Sequence, residues 1–285
     1  MFSMPHGISI VRTVEDLRRR MQPWRGQGLR TALVPTMGAL HAGHVELVGQ
    51  GLRRADKIVV TIFVNPAQFG PNEDFSRYPR DERSDAARLA EAGAHLVFAP
   101  EPVEVYPEGF CTTVSVAGPA RAGLEDRFRP HFFDGVTTVV SKLFVQAWCD
   151  YALFGEKDYQ QLKVVTRMAR DLDIATKIIA VPTVREPDGL AMSSRNAYLS
   201  VADRERAPLL YRSLTAAADA IRSGMPPAKA AAAARRKLAW AGFRVDYLAA
   251  RNAETLAELR EPSDPVRLLA AAWLADTRLI DNVEV

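Results

Sequence analysis

The sequence predicts an α/β protein, a Rossmann-like doubly wound parallel sheet followed by a smaller C-terminal α+β domain. Three observations carry this. Short continuous apolar runs alternate with helical patterns through most of the chain, which is how strands buried on both faces of a parallel sheet read. The texture changes after "VREPDGLAMSS" to alanine- and arginine-rich helices and then to further strand-like runs. A chain of 285 residues, 48% hydrophobic and 25% charged, can also build a sizeable core in one large or two modest domains.

In order, "LRTALVPT" predicts a strand and a helix follows from about His44 to Ala55. "KIVVTIFVN" predicts the second strand, "DERSDAARLAEAG" a helix and "AHLVFAP" the third strand, a βαβαβ rhythm. The pattern resumes with a helix near "GVTTVVSKLFVQAW", the strand "YALF", the helix "YQQLKVVTRMARDL" and the strand "TKIIAVPTV". These segments are assigned to a first domain, residues 1–184. Residues 185–285 form the second, expected to close over the site, with helices split at "SGMPP" and strands at "RVDYLAAR", "VRLLAAAWL" and "TRLIDNV". The run "AKAAAAARRKLAWA" reads as helix rather than low-complexity tail, and no repeat of fixed period is present.

The balance of 37 basic against 34 acidic residues leaves only +3, with arginine spread along the helices, so nucleic acid is not an expected partner. No stretch approaches the length of a membrane span, and the start "MFSMPHGISIVRTVEDL" lacks a basic region followed by an apolar one. The chain therefore reads as cytoplasmic, with no membrane partner. Cys111 and Cys149 lie among apolar residues, where a buried thiol without a role is expected.

The stretch "PTMGALHAGHVELV", residues 35–48, places two histidines and two glycines after a strand and before a helix. In parallel sheets ligands sit at the carboxyl ends of strands, and anions favour helix N-termini. Gly38 and Gly43 allow the backbone to approach a phosphate, while His41 and His44, three apart, project from one side of the first helical turn. Imidazoles there can donate to charge that gathers on the α-phosphate during attack. With 5 His and 17 Gly in the chain, a His-x-Gly-His tetrad is expected by chance only about 0.005 times. The stretch is not a Walker loop, because the lysine and hydroxyl of that motif are missing.

These residues resemble the nucleotidyltransferase superfamily, whose His-x-Gly-His element binds ATP and assists attack on its α-phosphate. The segments "PTMGALHAGH", "IFVNPAQF", "YPR", "FGEKDYQQL" and "VPTVREPDGLAMSSRN" further resemble, in order and approximate spacing, the pantothenate synthetase family, over residues 34 to about 200. The resemblance implies an AMP-forming ligase of coenzyme A biosynthesis. It would condense pantoate with β-alanine through an enzyme-bound pantoyl adenylate, releasing pyrophosphate and then AMP. ATP would be the co-substrate, Mg²⁺ its metal ion and a homodimer the assembly. ATP would then be met by Thr36, Met37, Gly38, Ala39, Leu40, His41, Ala42, Gly43 and His44, by Gly155, Glu156, Lys157 and Asp158, and by Val184, Met192, Ser193, Ser194 and Arg195. Of these, His44, His41, Lys157, Ser193, Ser194 and Arg195 would be catalytic, and Gln68, Gln161 and Asn65 would hold pantoate or β-alanine.

The residue chemistry supplies its own account. Asn65 and Gln68 are neutral amides that can hydrogen-bond a hydroxy acid, ahead of a Gly-Pro-Asn loop suited to a lid, although a simple polar turn fits Asn65 well. Lys157 can meet phosphates and Asp158 ribose hydroxyls, the alternative being a solvated helix cap. "AMSSRN" reads as a mobile loop that closes two hydroxyls and Arg195 over a triphosphate, or else as a linker. Asp81, Glu82 and Asp85 belong by default to a solvated helix face; Asp85 also matches a family acidic position near ATP and Mg²⁺, and no other metal ligand is assigned. One departure is "RPHFFDGV": aligned on Gly135, Phe132 stands where the family commonly has histidine, with His131 displaced by one, which puts the local packing or a pantoate-side contact in question. Two other readings stay open at this stage, an adenylyltransferase acting on a phosphate ester and a nucleotide-sensing or RNA-binding module without catalysis.

Overall fold

The computed structural model describes residues 7–71, 73 and 75–285. In chain order the elements are β1 (Ser9–Val11), α1 (Val14–Gly26), β2 (Thr31–Thr36), α2 (Ala42–Leu52), β3 (Lys57–Ile62), α3 (Glu82–Glu91), β4 (Leu96–Phe98) and α4 (Pro102–Val105). Then come α5 (Glu125–Phe128), α6 (Phe132–Ala147), β5 (Tyr151–Gly155), α7 (Tyr159–Asp171), β6 (Lys177–Val181), α8 (Val201–Arg206), α9 (Leu209–Arg222) and α10 (Pro227–Trp240). The chain ends with β7 (Arg244–Asn252), β8 (Val266–Leu274) and β9 (Thr277–Glu284). Short 3-10 turns stand at Pro66–Gln68, Glu156–Asp158 and Ser194–Tyr198.

Two compact units are formed. The first holds the chain up to Val116 with His131–Gly155 and Val165–Val181; the second holds Ala117–Pro130, Glu156–Val164 and Pro182–Val285. Sequence reading assigns 117–130 and 156–164 to the first domain; here Glu125 and Glu156 find polar partners in the C-terminal chain instead.

The first unit is built on a six-stranded, wholly parallel sheet in the order β1-β4-β3-β2-β5-β6. β2 and β3 run in register from Thr31 opposite Lys57 to Thr36 opposite Ile62, and most of their residues are buried. Branched side chains suit such a doubly covered strand because they pack on both pleated faces. Leu47 and Val48 of α2 and Leu89 of α3 close the core over Ala32, Val34, Ile58, Val60 and Val97. From β2 the chain winds one way through β3 and β4, whereas β5 and β6 lie on the other side, so the topological switch point falls between β2 and β5. β1 and α1 are not among the expected elements. Their cue is Thr13, whose hydroxyl accepts from Asp16 N at 3.1 Å and starts a helix that buries Leu17 and Met21 at i, i+4 spacing.

The second unit carries the antiparallel sheet β7-β8-β9, covered by α9 and α10. Ala230, Ala231, Ala234 and Leu238 form the buried stripe of α10 against Leu248, Leu268, Ala270 and Ala272, small residues letting helix and sheet approach closely. The split at "SGMPP" has a physical cause: α9 ends at Arg222, Gly224 takes φ +96°, and Pro227 opens α10. Glu125 of α5 is buried and accepts a forked pair from Arg278 at 2.7 and 2.8 Å and a bond from the Tyr247 hydroxyl at 2.9 Å.

One cysteine departs from expectation. Cys149 is buried, which pushes its thiol up to about 12, but Cys111 is exposed, in a stretch without regular structure that no layer covers. Among the described residues no helix is long and apolar enough to cross a membrane.

Candidate active site

The loop from β2 to α2 is held from three directions. Thr36 Oγ1 donates to Thr61 O at 2.6 Å and accepts from Gly38 N at 3.2 Å. Gly38 (φ +81°) and Ala39 (φ +52°) are both left-handed, and a Cβ on Gly38 would stand 3.0 Å from Asp85 Oδ2. Asp85, from the first turn of α3, accepts from Ala39 N at 2.9 Å and Leu40 N at 2.8 Å, and Arg88 donates to Leu40 O at 2.6 Å. The solvated face expected of α3 therefore fails at Asp85, which is 3% exposed because the loop's amides need its oxygens. Burial pushes its carboxyl above the usual range, while the two amide donors pull it back.

His41 and His44 cap α2 reciprocally. His41 Nδ1 accepts from Gly43 N at 3.1 Å, and His44 Nδ1 accepts from His41 N at 3.2 Å, the rings lying 4.1 Å apart between centroids. A capping box normally uses Ser or Thr with Glu or Gln; here two imidazoles take those places, and the helix begins at Ala42 rather than near His44 as expected. A neutral imidazole that accepts at Nδ1 carries its proton on Nε2. The cap thus sets both rings as Nε2–H donors at a helix N-terminus, where the backbone dipoles favour negative charge.

Gln68 is positioned by Asn65. The Asn65 amide donates to Gln68 Oε1 at 3.0 Å and to Gly135 O at 3.1 Å, and its oxygen accepts from the Tyr106 hydroxyl at 2.8 Å and from Ala67 N at 3.3 Å. Its two donors and two lone pairs are all used within the protein, the arrangement a polar turn would have, and one of these bonds reaches Gln68. Burial raises the Tyr106 hydroxyl to about 12, keeping it a donor. Gly135 is required by close approach, since a Cβ there would lie 2.2 Å from Ala67 O. At the departure in "RPHFFDGV", Phe132 packs edge-on against Phe133 at 5.1 Å, while exposed His131 lies against Gly70. Asn72 and Asp74 of the loop expected to form a lid lie outside the described residues.

In the second unit, Lys157 Nζ pairs with Asp158 Oδ2 at 3.3 Å on the Glu156–Asp158 turn that follows Gly155. The neighbours Gln160 and Gln161 part company. Gln160 is buried, accepting from Glu125 N at 2.9 Å and donating to Pro119 O and Asp126 Oδ1 at 2.8 and 2.9 Å, whereas Gln161 is half-buried. Residues 184–192 fold as a short hairpin leading into "AMSSRN": Met192 N donates to Val184 O at 3.0 Å, Arg185 bridges Ala191, and Gly189 (φ +96°) makes the turn. Ser193 then caps the 3-10 turn at Arg195 N, at 3.3 Å. The first unit thus gathers Thr36–His44 with Asp85, and Asn65 with Gln68; the second pairs Val184 with Met192 and carries Lys157, Asp158, Gln161, Ser193, Ser194 and Arg195. Among the described residues no three His, Cys, Asp or Glu groups converge as a metal cage, and the two Asp85 oxygens are turned to the loop amides.

A parallel sheet whose switch point is followed by a helix capped with imidazole donors defines a nucleotide-handling α/β protein. Comparison with known proteins narrows this. Residues 9–284 match the family model for pantoate-beta-alanine ligase, and the chain belongs to that family. It is 56% identical to the pantothenate synthetase of Nitrobacter winogradskyi over 283 residues, covering 99% of this chain and 100% of that one. To the pantothenate synthetase of Paramagnetospirillum magneticum it is also 56% identical, covering 99% of each. The crystal structure of pantothenate synthetase from Thermus thermophilus superposes with a TM-score of 0.90 at 47% identity, over 97% of this chain and 99% of that one. The pantoate-beta-alanine ligase of Francisella tularensis, solved in complex with beta-gamma ATP and beta-alanine, gives 0.82 at 32% identity, over 97% of each chain. The enzyme activity is that of a pantoate–β-alanine ligase, and the sheet architecture is that of the solved family members.

Proposed function

We propose that the chain condenses pantoate with β-alanine in two steps, through a pantoyl adenylate, in the cytoplasm and as a homodimer. The reciprocal imidazole cap carries this reading, because it supplies two donors of fixed tautomer where a triphosphate would meet a helix N-terminus. A pantoate carboxylate oxygen attacks the α-phosphorus of ATP, and the bond from that phosphorus to pyrophosphate breaks. His41 and His44 donate from Nε2 to the charge that grows on the phosphates, help that is larger in the transition state than in the ground state. Lys157, Ser193, Ser194 and Arg195 are assigned to the same charge, and Asp158 to the ribose. Gln68, oriented by Asn65, and Gln161 hold pantoate in line, and such positioning is worth several kcal/mol. The neutral amine of β-alanine then attacks the acyl carbon, AMP leaves, and the nitrogen loses its proton to solvent. Mg²⁺ would arrive on the phosphates of ATP, as that ion commonly does.

The test is pyrophosphate exchange into ATP with a panel of hydroxy acids. Pantoate alone is expected to support exchange, with AMP release only once β-alanine is added. Exchange that requires β-alanine, or that runs with a phosphate ester, would overturn the adenylate. Light scattering checks the assembly, expected at about twice 31.4 kDa.

A further inference from the structure

The strand β9 carries "LIDNV", which the proposed chemistry leaves without a role. Asn282 is 2% exposed, and its side chain is fully engaged. The amide nitrogen donates to Glu156 O at 2.8 Å and to Lys157 O at 3.0 Å, while Oδ1 accepts from Arg267 Nε at 2.8 Å. Arg267 continues the brace, reaching Glu156 Oε2 at 3.1 Å and lying 4.2 Å from the centroid of the Tyr159 ring. Residues more than a hundred positions away thus clamp two carbonyls of the turn that bears Lys157. The adjacent Asp281, 3% exposed, takes a forked pair from Arg185 at 2.7 and 2.9 Å. Arg185 also donates to Gly189 O at 3.1 Å, inside the hairpin that leads to Ser193 and Arg195.

We infer that Asn282 is a positioning residue for ATP use: its amide sets the direction in which the Glu156–Lys157 turn offers the Lys157 ammonium. This rests on the assignment of Lys157 to ATP. The chemistry of the clamp is specific. Only a carboxamide presents two N–H bonds to two carbonyls and an oxygen to a guanidinium from one small group. A carboxylate of the same shape keeps the arginine but turns an acceptor on two acceptors, which a buried site does not tolerate. A turn released by about an ångström misplaces its ammonium, and misplacement of that size costs up to about a hundredfold in rate.

The experiment compares Asn282→Asp, Asn282→Ala and Lys157→Ala, with the double variant Asn282→Ala/Lys157→Ala, in the full chain. The expected result is a rise of about tenfold or more in KM for ATP in both Asn282 variants, with KM for β-alanine within about twofold and most of the melting temperature kept. In the Lys157→Ala background, Asn282→Ala is expected to add less than about twofold. Equal loss towards all three substrates, or a full further loss in the double variant, would mean that Asn282 merely supports the fold and would overturn the inference. If Lys157→Ala raises KM for ATP while neither Asn282 variant does, the inference fails and the Lys157 assignment stands. If Lys157→Ala leaves ATP use unchanged, that assignment fails and the inference with it.

Discussion

The helix cap of the first unit and the Lys157 turn of the second are fixed by opposite means. In the first, the decisive contacts at the helix cap are short in sequence: His41 bonds Gly43, His44 bonds His41, and Asn65 bonds Gln68. In the second, Lys157 is held by Asn282, and its neighbour Glu156 by Arg267, both from the far end of the chain. Local caps form with the helix they begin and ask little of the rest of the fold, whereas a clamp built on β8 and β9 exists only once that sheet is complete. Damage to the first unit's caps should therefore read out mainly in catalysis. Damage to the second unit's buried Glu125–Arg278 pair should read out mainly in stability.

The largest expected effect attacks the second unit. Glu125→Ala leaves Arg278 buried beside only Asp246, and loss of one partner of a buried pair costs about 3–5 kcal/mol. Chemical denaturation measures it, and a loss below about 1 kcal/mol would break the comparison. Next comes a test of the first unit by close packing. Gly135→Ala pushes a methyl into Ala67 O and should cost about 3 kcal/mol while raising KM for pantoate more than for ATP, since Gln68 shifts with Asn65. Unchanged pantoate affinity in the folded variant would detach Gln68 from the acid.

At the helix cap, catalysis and stability separate. His44→Ala should lower kcat roughly 10²-fold with a modest change in ATP affinity, and should also lose about 1 kcal/mol of stability because His41 N is left without its acceptor. His44→Gln puts an amide at the position where Gln closes a capping box, so melting should recover while kcat stays low. Single-turnover measurement should find the attack of β-alanine on ready-made pantoyl adenylate less impaired than adenylation. Recovery of both melting and rate in the glutamine variant would reduce the histidine to a cap. The smallest effect is that of Tyr106→Phe, about 1 kcal/mol for one bond to Asn65. Because burial raises this phenol from 10.0 to about 12, its contribution is complete below about pH 10 and is lost as the pH climbs through about 12. The gap between wild type and the phenylalanine variant should close over that window in pH-dependent melting.

The same contrast explains what could be read from the chain alone. The apolar runs of β2 and β3, the His-x-Gly-His tetrad and the proline-glycine break between α9 and α10 are local patterns, and each is visible in a window of a few residues. The start of α2 is misread near His44 because histidine is an unusual capping residue, so the cap is hidden within the His-x-Gly-His tetrad. β1 is too short to show a period. Asp85 looks like any charge on an amphipathic helix until the loop 45 positions away is folded against it. Asn282, Arg185 and Glu125 are ordinary polar residues whose partners lie about a hundred or more positions away, and no spacing within the sequence announces them.

The contact between Gly135 and Ala67 bears on how this enzyme can evolve. Beside Asn65 and Gln68 the molecule meets itself through main chain, a glycine against a carbonyl, with no side chain between. Mutation rewrites side chains and leaves peptide groups as they are, so a contact made of backbone cannot be loosened or re-polarised one substitution at a time. On the proposed assignment of Gln68 to the acid, a laboratory search for ligases of bulkier hydroxy acids would do best to vary the side chains near Gln68 and leave the glycine alone.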